Sequence, residues 1–398
     1  MVKKAGCFAF AALILLSGCL PGLETDETAD VEESDEDGAD TVVEVSPEIP
    51  SLDSYYRSIL QDGQYRHGAT RGFSTSVVYN RMDLERLEVG LTELASDQFD
   101  PSSYFFSEGQ FITRSDLNSW LRRYEEPEDE DDEGNLLGLN PPLGEGSSFE
   151  ERERNSPRYL SHILEHNYVT ENENGNLEIG GLAIGISLNS AYYFRERHDD
   201  GSYGPWFDEE IDEEVSLEEG QRIAQEVLER LRSEDREDGR LEDVPIVFAL
   251  FREAPRQSSV PGEFIATAVA DPGQDVGGWQ TLNEAHYLFP SGTAENEQRT
   301  DAERFNQFSN DINRFFENYV GVVGNGYYQN DQMQRMEIEI PIRFYSKTEV
   351  IAFTQHVTDR VEQHFSPEIE VRIRVTASGE EEALIVREPD EEPYIHIH

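Results

Sequence analysis

Lysine and cysteine are nearly missing from this chain of 398 residues. Lysine occurs only at Lys3, Lys4 and Lys347, and cysteine only at Cys7 and Cys19. Both cysteines lie within the first twenty residues, so the rest of the chain has no thiol. That excludes cysteine nucleophiles, zinc–thiolate sites and disulfides from the folded part, which must hold together by packing. Positive charge of any kind is scarce: 32 Lys and Arg stand against 83 Asp and Glu, a net charge of −51. A surface of that sign repels nucleic acid, so no nucleic-acid partner is expected. Apolar material is not scarce. The chain is 37% hydrophobic, with 21 Phe and 17 Tyr, which is enough for real cores and rules out wholesale disorder.

The first twenty residues, MVKKAGCFAFAALILLSGCL, set the compartment. Lys3 and Lys4 form a positive start, Phe8 to Leu16 form an apolar run too short to span a bilayer, and Ser17 and Gly18 precede Cys19. This is a secretory signal. Leu16-Ser17-Gly18-Cys19 also matches the bacterial lipobox, in which prolipoprotein lipid transferase places a diacylglyceryl group on the cysteine sulfur and signal peptidase II cuts before it. Each buried CH₂ contributes about 0.8 kcal/mol, and two chains hold stably where one does not. The sequence therefore predicts a protein held to the outer face of the cell membrane by lipid on Cys19. Behind the anchor, residues 24–44 carry eleven acidic residues and no basic one, which predicts an extended, self-repelling tether.

Five segments are expected. They are a lipoprotein signal peptide over 1–18, an acidic disordered tether over 19–50, and a mostly helical region with an acidic Gly/Pro loop over 51–150. A first β-α-β-β unit follows over 151–275, then a connecting helix with a second such unit over 276–398. In the helical region Asp83 is placed to cap a helix with Leu84, Leu87, Leu91 and Leu94 on one face, and Thr113 with Asp116 forms an N-cap signal. Ser156-Pro157 reads as the start of another helix.

Further on, bulky Leu182, Ile184, Ile186 and Leu188 alternate with small Ala183, Gly185, Ser187 and Asn189 along a strand. Ser216 opens a capping box for the next helix, and strands are predicted over 244–252 and 263–270. Met336, Ile338, Ile340 and Ile342 alternate in the same way, ahead of a helix over about 348–365 and strands over 368–375 and 383–387. Both halves read β-α-β-β, which suggests an internal duplication. Between them Phe305, Phe308, Ile312, Phe315, Phe316 and Tyr319 mark a helix over about 301–319. Gly321-Val-Val-Gly324-Asn-Gly326 reads as a turn. The expected class is α+β with mainly antiparallel sheet, preceded by a small helical region.

Chemistry is harder to locate. His162-Ile163-Leu164-Glu165-His166 fits the H-x-x-E-H pattern, in which two histidines one helical turn apart bind zinc and the glutamate acts as base. On a helix starting at Ser156 these residues would form the metal half of a zinc-dependent hydrolase. Against that reading, no third ligand can be singled out, and an apolar face at Leu160, Ile163 and Leu164 leaves both histidines toward solvent. Asp and Glu are too abundant for any acid/base pair to stand out. No G-x-S-x-G or Walker sequence is present. No catalytic residue, cofactor or resident metal is therefore assigned, and the folded part reads as a non-enzymatic binding module. The small-residue strand face at Ala183, Gly185, Ser187 and Asn189 either lies against a helix or lines its candidate groove.

Several stretches carry a family resemblance. They are Gly138-Leu-Asn-Pro141, Ser156-Pro-Arg-Tyr-Leu-Ser-His-Ile-Leu164, Gly181-Leu-Ala-Ile-Gly-Ile-Ser-Leu-Asn-Ser-Ala-Tyr-Tyr193, Pro261-Gly-Glu-Phe-Ile265, Phe353-Thr-Gln-His-Val-Thr358 and Pro393-Tyr-Ile-His-Ile397. In this order behind a lipobox, they resemble the CamS family, lipoproteins of Gram-positive bacteria known as sex pheromone cAM373 precursors. The resemblance implies that a short hydrophobic peptide is released from the signal segment just before the lipidated cysteine. The matching positions are Ala12, Leu13, Ile14, Leu15, Leu16, Ser17 and Gly18. It assigns no activity to the mature part. The acidic excess, spread over folded segments outside the cell, predicts a salt-loving source, because at about 1 M salt the Debye length is only about 3 Å. Arginine in place of lysine also keeps its charge in alkaline water.

Overall fold

The structure is a computed structural model and describes residues 43–47, 55–73, 77–127, 129, 132–172, 174, 176–198, 200–233, 236–315, 321–343 and 346–398. Its first elements are β1 (Val43–Val45), β2 (Arg57–Gln61), β3 (Gln64–Tyr65), α1 (Arg81–Ala95), β4 (Phe105–Glu108), α2 (Arg114–Trp120) and α3 (Phe149–Asn155). Two long strands, β5 (Leu160–Glu171) and β6 (Leu177–Asn189), lead into a short hairpin of β7 (Ala191–Phe194) and β8 (Phe207–Glu210). Next come α4 (Glu213–Leu231), β9 (Ile246–Glu253), β10 (Glu263–Ala270) and β11 (Gly277–Thr281). The second half holds β12 (Glu284–Phe289), α5 (Gly292–Glu297), α6 (Arg299–Asn313), β13 (Val323–Gln329) and β14 (Gln332–Ile342). It ends with α7 (Lys347–His364), β15 (Glu370–Ala377), β16 (Glu380–Arg387) and β17 (Tyr394–Ile397).

These elements form two lobes, each built on one sheet, and the sheets repeat one another. In the first the order is β4-β5-β6-β9-β10-β11, with β1, β2 and β3 added beyond β4; in the second it is β12-β13-β14-β15-β16-β17. Along both runs the pairings are antiparallel, antiparallel, parallel, antiparallel, antiparallel. In each lobe the parallel pair is joined through a helix, α4 between β6 and β9 and α7 between β14 and β15. In each lobe two helices separate the first strand from the second. The duplication suggested by the alternating strands is therefore complete at the level of topology, in a mixed α+β fold.

The two sheets are buried differently, and their sequences show it. Central strand β6 has helices on both faces and reads as a nearly unbroken apolar run. Leu182, Ile184, Ile186 and Leu188 pack under α4 with Val227 and Leu231, while Ala183 lies against α1 beside Leu87 and Leu91. The small face is small because α1 comes close: a Cβ on Gly185 would stand 3.0 Å from Leu87 and 3.2 Å from Leu91. The second sheet is covered on one face only. Buried Met336, Ile338, Ile340 and Ile342 alternate with exposed Glu337, Glu339 and Pro341. The β13–β14 and β15–β16 hairpins turn through Asn330-Asp331 and Ser378-Gly379, with positive φ at both central residues, as tight hairpin turns require. The lobes meet at Arg86 of α1, whose guanidinium pairs with Glu284 of β12 at 2.8 Å and bonds Tyr327 of β13 at 3.3 Å.

Several local expectations need correction. The region expected to be mostly helical also holds strands β2, β3 and β4, which extend the first sheet, and Val43–Val45, inside the expected tether, is strand β1 paired with β2. Strand β11, at 277–281, belongs to the first sheet although it follows the expected boundary at 275. Asn80 caps α1 through a bond from Met82 N–H, whereas Asp83 is buried in the first turn. The capping box of Thr113 and Asp116 is present on α2. Helix α4 starts at Glu213, three residues before Ser216. Gly324 and Gly326 lie in strand β13, not in a turn, because Phe305 and Phe289 press on the space a side chain would need. Helix α6 runs over Arg299–Asn313; Phe316 and Tyr319 lie outside the described residues.

Candidate functional site

The H-x-x-E-H motif does not form the site its spacing suggests. Helix α3 ends at Asn155, and residues 160–171 are strand β5, so the motif is extended. Four residues along a strand span roughly 13 Å, too far for two histidines to share one zinc. Nor do the histidines face solvent. His162 is buried and stacks on Phe73 at 6.0 Å. His166 is buried against the edge of Phe106, with Nδ1 3.3 Å from Thr92 Oγ1. Burial holds both imidazoles down to about 4.

Glu165 is equally occupied. Its carboxylate accepts backbone N–H groups from Gln110, Phe111 and Ile112 at 2.6–3.1 Å, tying down the loop ahead of α2. Among the described residues, no group of three or more His, Cys, Asp or Glu is placed to hold a metal ion. The candidate zinc triad His162, Glu165 and His166 is thus a core segment.

The strand groove is also mostly closed. Ala183 and Ser187 are fully buried, and Gly185 lies beneath α1. Only the end of that face opens. There, beyond the C-terminal ends of the parallel strands β6 and β9, lies a cleft of about 370 Å³ lined by residues such as Asn80, Asp83, Arg158, Asn189, Ser190, Tyr193, Glu253 and Arg256. Ligands of α/β sheets bind at this place, because the chain must leave parallel strands there and helices begin there.

The internal repeat supplies a comparison. In the second lobe only residues 343–346 separate β14 from α7, whereas 190–212 separate β6 from α4. The extra chain is the β7–β8 hairpin, and it builds one wall of the cleft. Tyr192, Phe194, Phe207 and Ile211 pack it onto Phe149, Tyr159 and Val215. Tyr192 Oη donates to Glu153 at 2.9 Å, and Glu153 also pairs with Arg123. The Ile211 N–H bond to Ser190 O, 2.8 Å, closes its base.

Two buried acids form the floor. Asp83 accepts the Gly262 N–H at 2.7 Å, and burial, aided by the charge of Glu253, pushes it up to about 7. Glu253 accepts the Ser187 hydroxyl at 2.7 Å and is likewise raised by burial. Ser190 is 6% exposed, and its hydroxyl has no hydrogen-bond partner among the described residues. At the mouth Arg256 stacks on Tyr79, Tyr193 and Trp206 at 4.3–4.9 Å, and Arg195 covers Tyr203 at 3.8 Å and the same Trp206 at 4.5 Å. Arg158 Nε is buried and unpartnered among the described residues.

A larger cavity of about 670 Å³ lies beside α1. Its charges already serve one another: Arg335 and Arg372 both pair with Glu370, and Glu108 accepts from Tyr65 and Gly68. Sequence reasoning missed the cleft because its walls come from five separate stretches; the one local signal was the cluster Tyr192, Tyr193, Arg195, Tyr203 and Trp206.

A duplicated α+β protein with a polar cleft built onto one copy is the class that fold and site define. The chain belongs to the CamS family: residues 65–393 match the family described as CamS sex pheromone cAM373 precursor. It is similar to the crystal structure of a sex pheromone precursor from Lactobacillus salivarius, with 31% identity and a TM-score of 0.78 over 89% of this chain and 99% of the other. It is also similar to the C-terminal domain of the sex pheromone staph-cAM373 precursor from Staphylococcus aureus, with 30% identity and a TM-score of 0.68 over 80% of this chain and 98% of the other. No curated protein sequence matches the chain. Membership accords with a protein of the cell surface or medium. Cys19, the lipobox Leu16–Cys19 and the peptide positions Ala12–Gly18 lie outside the described residues.

Proposed function

We propose that this chain is a lipid-anchored surface protein with two products. One is a short hydrophobic peptide, residues 12–18, left when the signal segment is cut before Cys19. The other is the mature protein, held by its diacylglyceryl group and acting as a non-enzymatic binding module of a salt-loving cell envelope. The lipobox and the names of the similar proteins support the first part. The binding role rests on one observation: of two copies of the same fold, only one carries a hairpin insertion, and that insertion walls a cleft of convergent polar groups.

Replacing Cys19→Ala is expected to move the protein from the membrane fraction to the medium and to abolish recovery of the 12–18 peptide by mass spectrometry. For the binding role, hydrogen–deuterium exchange of the mature lipoprotein is compared with and without soluble envelope extract. Slowed exchange is expected over 190–212 and 253–256. Unchanged exchange there would remove the cleft from consideration.

A further inference from the structure

The cleft contains arginines that the rest of the molecule does not explain. Acidic residues outnumber basic ones 83 to 32, so a merely structural arginine has carboxylates within easy reach. Several elsewhere use them, Arg86, Arg123, Arg154, Arg222 and Arg335 among them, while others, such as Arg232 and Arg387, give their N–H groups to backbone carbonyls. Among the described residues neither Arg158 nor Arg256 forms an ion pair. Arg256 is held instead by the faces of Tyr79, Tyr193 and Trp206. Stacking fixes the plane of a guanidinium while leaving its N–H fork free, and that fork matches a planar or tetrahedral anion. The charge of Arg256 acts on Glu253 in the floor, but its fork makes no hydrogen bond among the described residues, so it offers a local place for an anionic group on a surface that otherwise repels one.

The floor asks for something else. Asp83 and Glu253 accept hydrogen bonds, Asn80 and Asn189 both donate and accept, and the buried Ser190 hydroxyl has its capacity unused. A ligand that satisfies such a mixture must offer several groups that each donate and accept, which is the property of sugar hydroxyls. An acyl chain would leave the buried Ser190 hydroxyl unsatisfied. Tyr79 and Tyr203 are more than half exposed, and each gives one ring face to an arginine, so the opposite face, apolar with a polar edge, suits the C–H face of a pyranose ring. A volume of about 370 Å³ is at the small end for ligand sites and fits the end of a saccharide, not a length of polymer.

We propose that the cleft binds an acidic saccharide, with Arg158 and Arg256 on its carboxylate or phosphate and Asp83, Glu253 and Ser190 on its hydroxyls. This rests on the reading of the cleft as the binding site. The test uses the mature lipoprotein in detergent, titrated with digalacturonate, with N-acetylglucosamine 1-phosphate, and with the methyl ester of digalacturonate as uncharged control. Binding is followed by Trp206 fluorescence and calorimetry. At least one charged sugar is expected to bind saturably, and the ester at least tenfold more weakly.

Arg256→Ala and Arg158→Gln are each expected to weaken binding tenfold or more. Arg256→Lys, which keeps the charge without the fork, should fall between, and exposed Arg374→Ala in the second lobe should change nothing. Melting curves confirm that each variant is folded. Carboxylate and phosphate sugars binding to different extents would identify the anion. Equal binding of ester and acid would overturn the anionic requirement. Failure of all three sugars, with exchange of 190–212 still slowed by envelope extract, would overturn the saccharide while leaving the site in place. Failure of both would remove site and ligand together.

Discussion

Glu165 illustrates how far residue identity is from residue role. In a zinc site it would be a base with a free oxygen; here both oxygens are held by backbone N–H groups of residues 110–112. Replacing Glu165→Ala leaves those donors without partners, each worth about 1–3 kcal/mol, so a loss of about 3 kcal/mol or more is expected in urea unfolding. Glu165→Gln, keeping one acceptor oxygen, should lose less, and neither change should alter metal content; an Ala variant as stable as the parent would refute the assigned role. The histidines make a pH prediction. His162 and His166 titrate near 4 when folded, against 6.5 when exposed. Between those values the unfolded chain binds protons that the folded one refuses, so their contribution to stability falls as pH falls from 6.5 to 4, by on the order of 3 kcal/mol each at full effect. Asp83 and Glu263, raised by burial to about 7, act with the opposite sign: their contribution grows as pH drops through 7. The two effects overlap, so the histidine part is isolated by difference. His162→Leu is expected to gain on the parent in melting temperature steadily from pH 6.5 to 4; parallel curves would show that His162 is not the titrating group.

At the scale of elements, the close approach of helix to sheet is set by small residues. Gly220 of α4 is buried, and a Cβ there would lie 2.8 Å from both Leu188 and Leu250. Ala gains about 1 kcal/mol of helix propensity over Gly, which offsets the shift it forces on the far ends of two buried leucine side chains. Gly220→Ala is thus expected to be nearly neutral in urea, whereas Gly220→Val overpacks the site and should cost about 1–3 kcal/mol. Equal midpoints for the two variants would mean that α4 moves freely away from the sheet. Elements of this kind were legible where one period ruled the residues. The alternation at Met336–Ile342 and the amphipathic stripe of α7 gave strands and helix close to their observed bounds, because one face is buried and the other wet. The stretch from Leu160 to Glu171 was not legible. Buried on both faces, it has no period to show, and its polar residues sit inside because backbone groups and aromatic rings receive them. The cleft was hidden for a different reason: chain distance separates Asp83 from Glu253, and the packing of α1 on β6 and β9 brings their elements together.

The whole molecule must hold its charge together. With 83 acids and 32 bases, every ion pair that forms still leaves most carboxylates facing one another. Salt acts on both kinds of contact. It weakens surface ion pairs such as Arg299–Glu303, but those are worth about 0–1 kcal/mol each. It barely touches the buried Arg86–Glu284 pair between the lobes, whose side chains are 9% and 1% exposed. It strongly screens the repulsion among the unpaired acids, since the Debye length shrinks from about 10 Å at 0.1 M to about 3 Å at 1 M. Repulsion involves the greater number of charges, so its relief wins and stability should rise with salt. If several kcal/mol are recovered, the melting temperature of the mature protein should climb by on the order of 5 °C or more between 0.1 and 2 M NaCl. Sucrose, which favours compact states without screening charge, separates the two causes: most of the gain should be specific to salt. A melting temperature that stayed level or fell with NaCl would mean that the acidic surface is already neutralised in the folded state, and the inference of a saline habitat would fall with it.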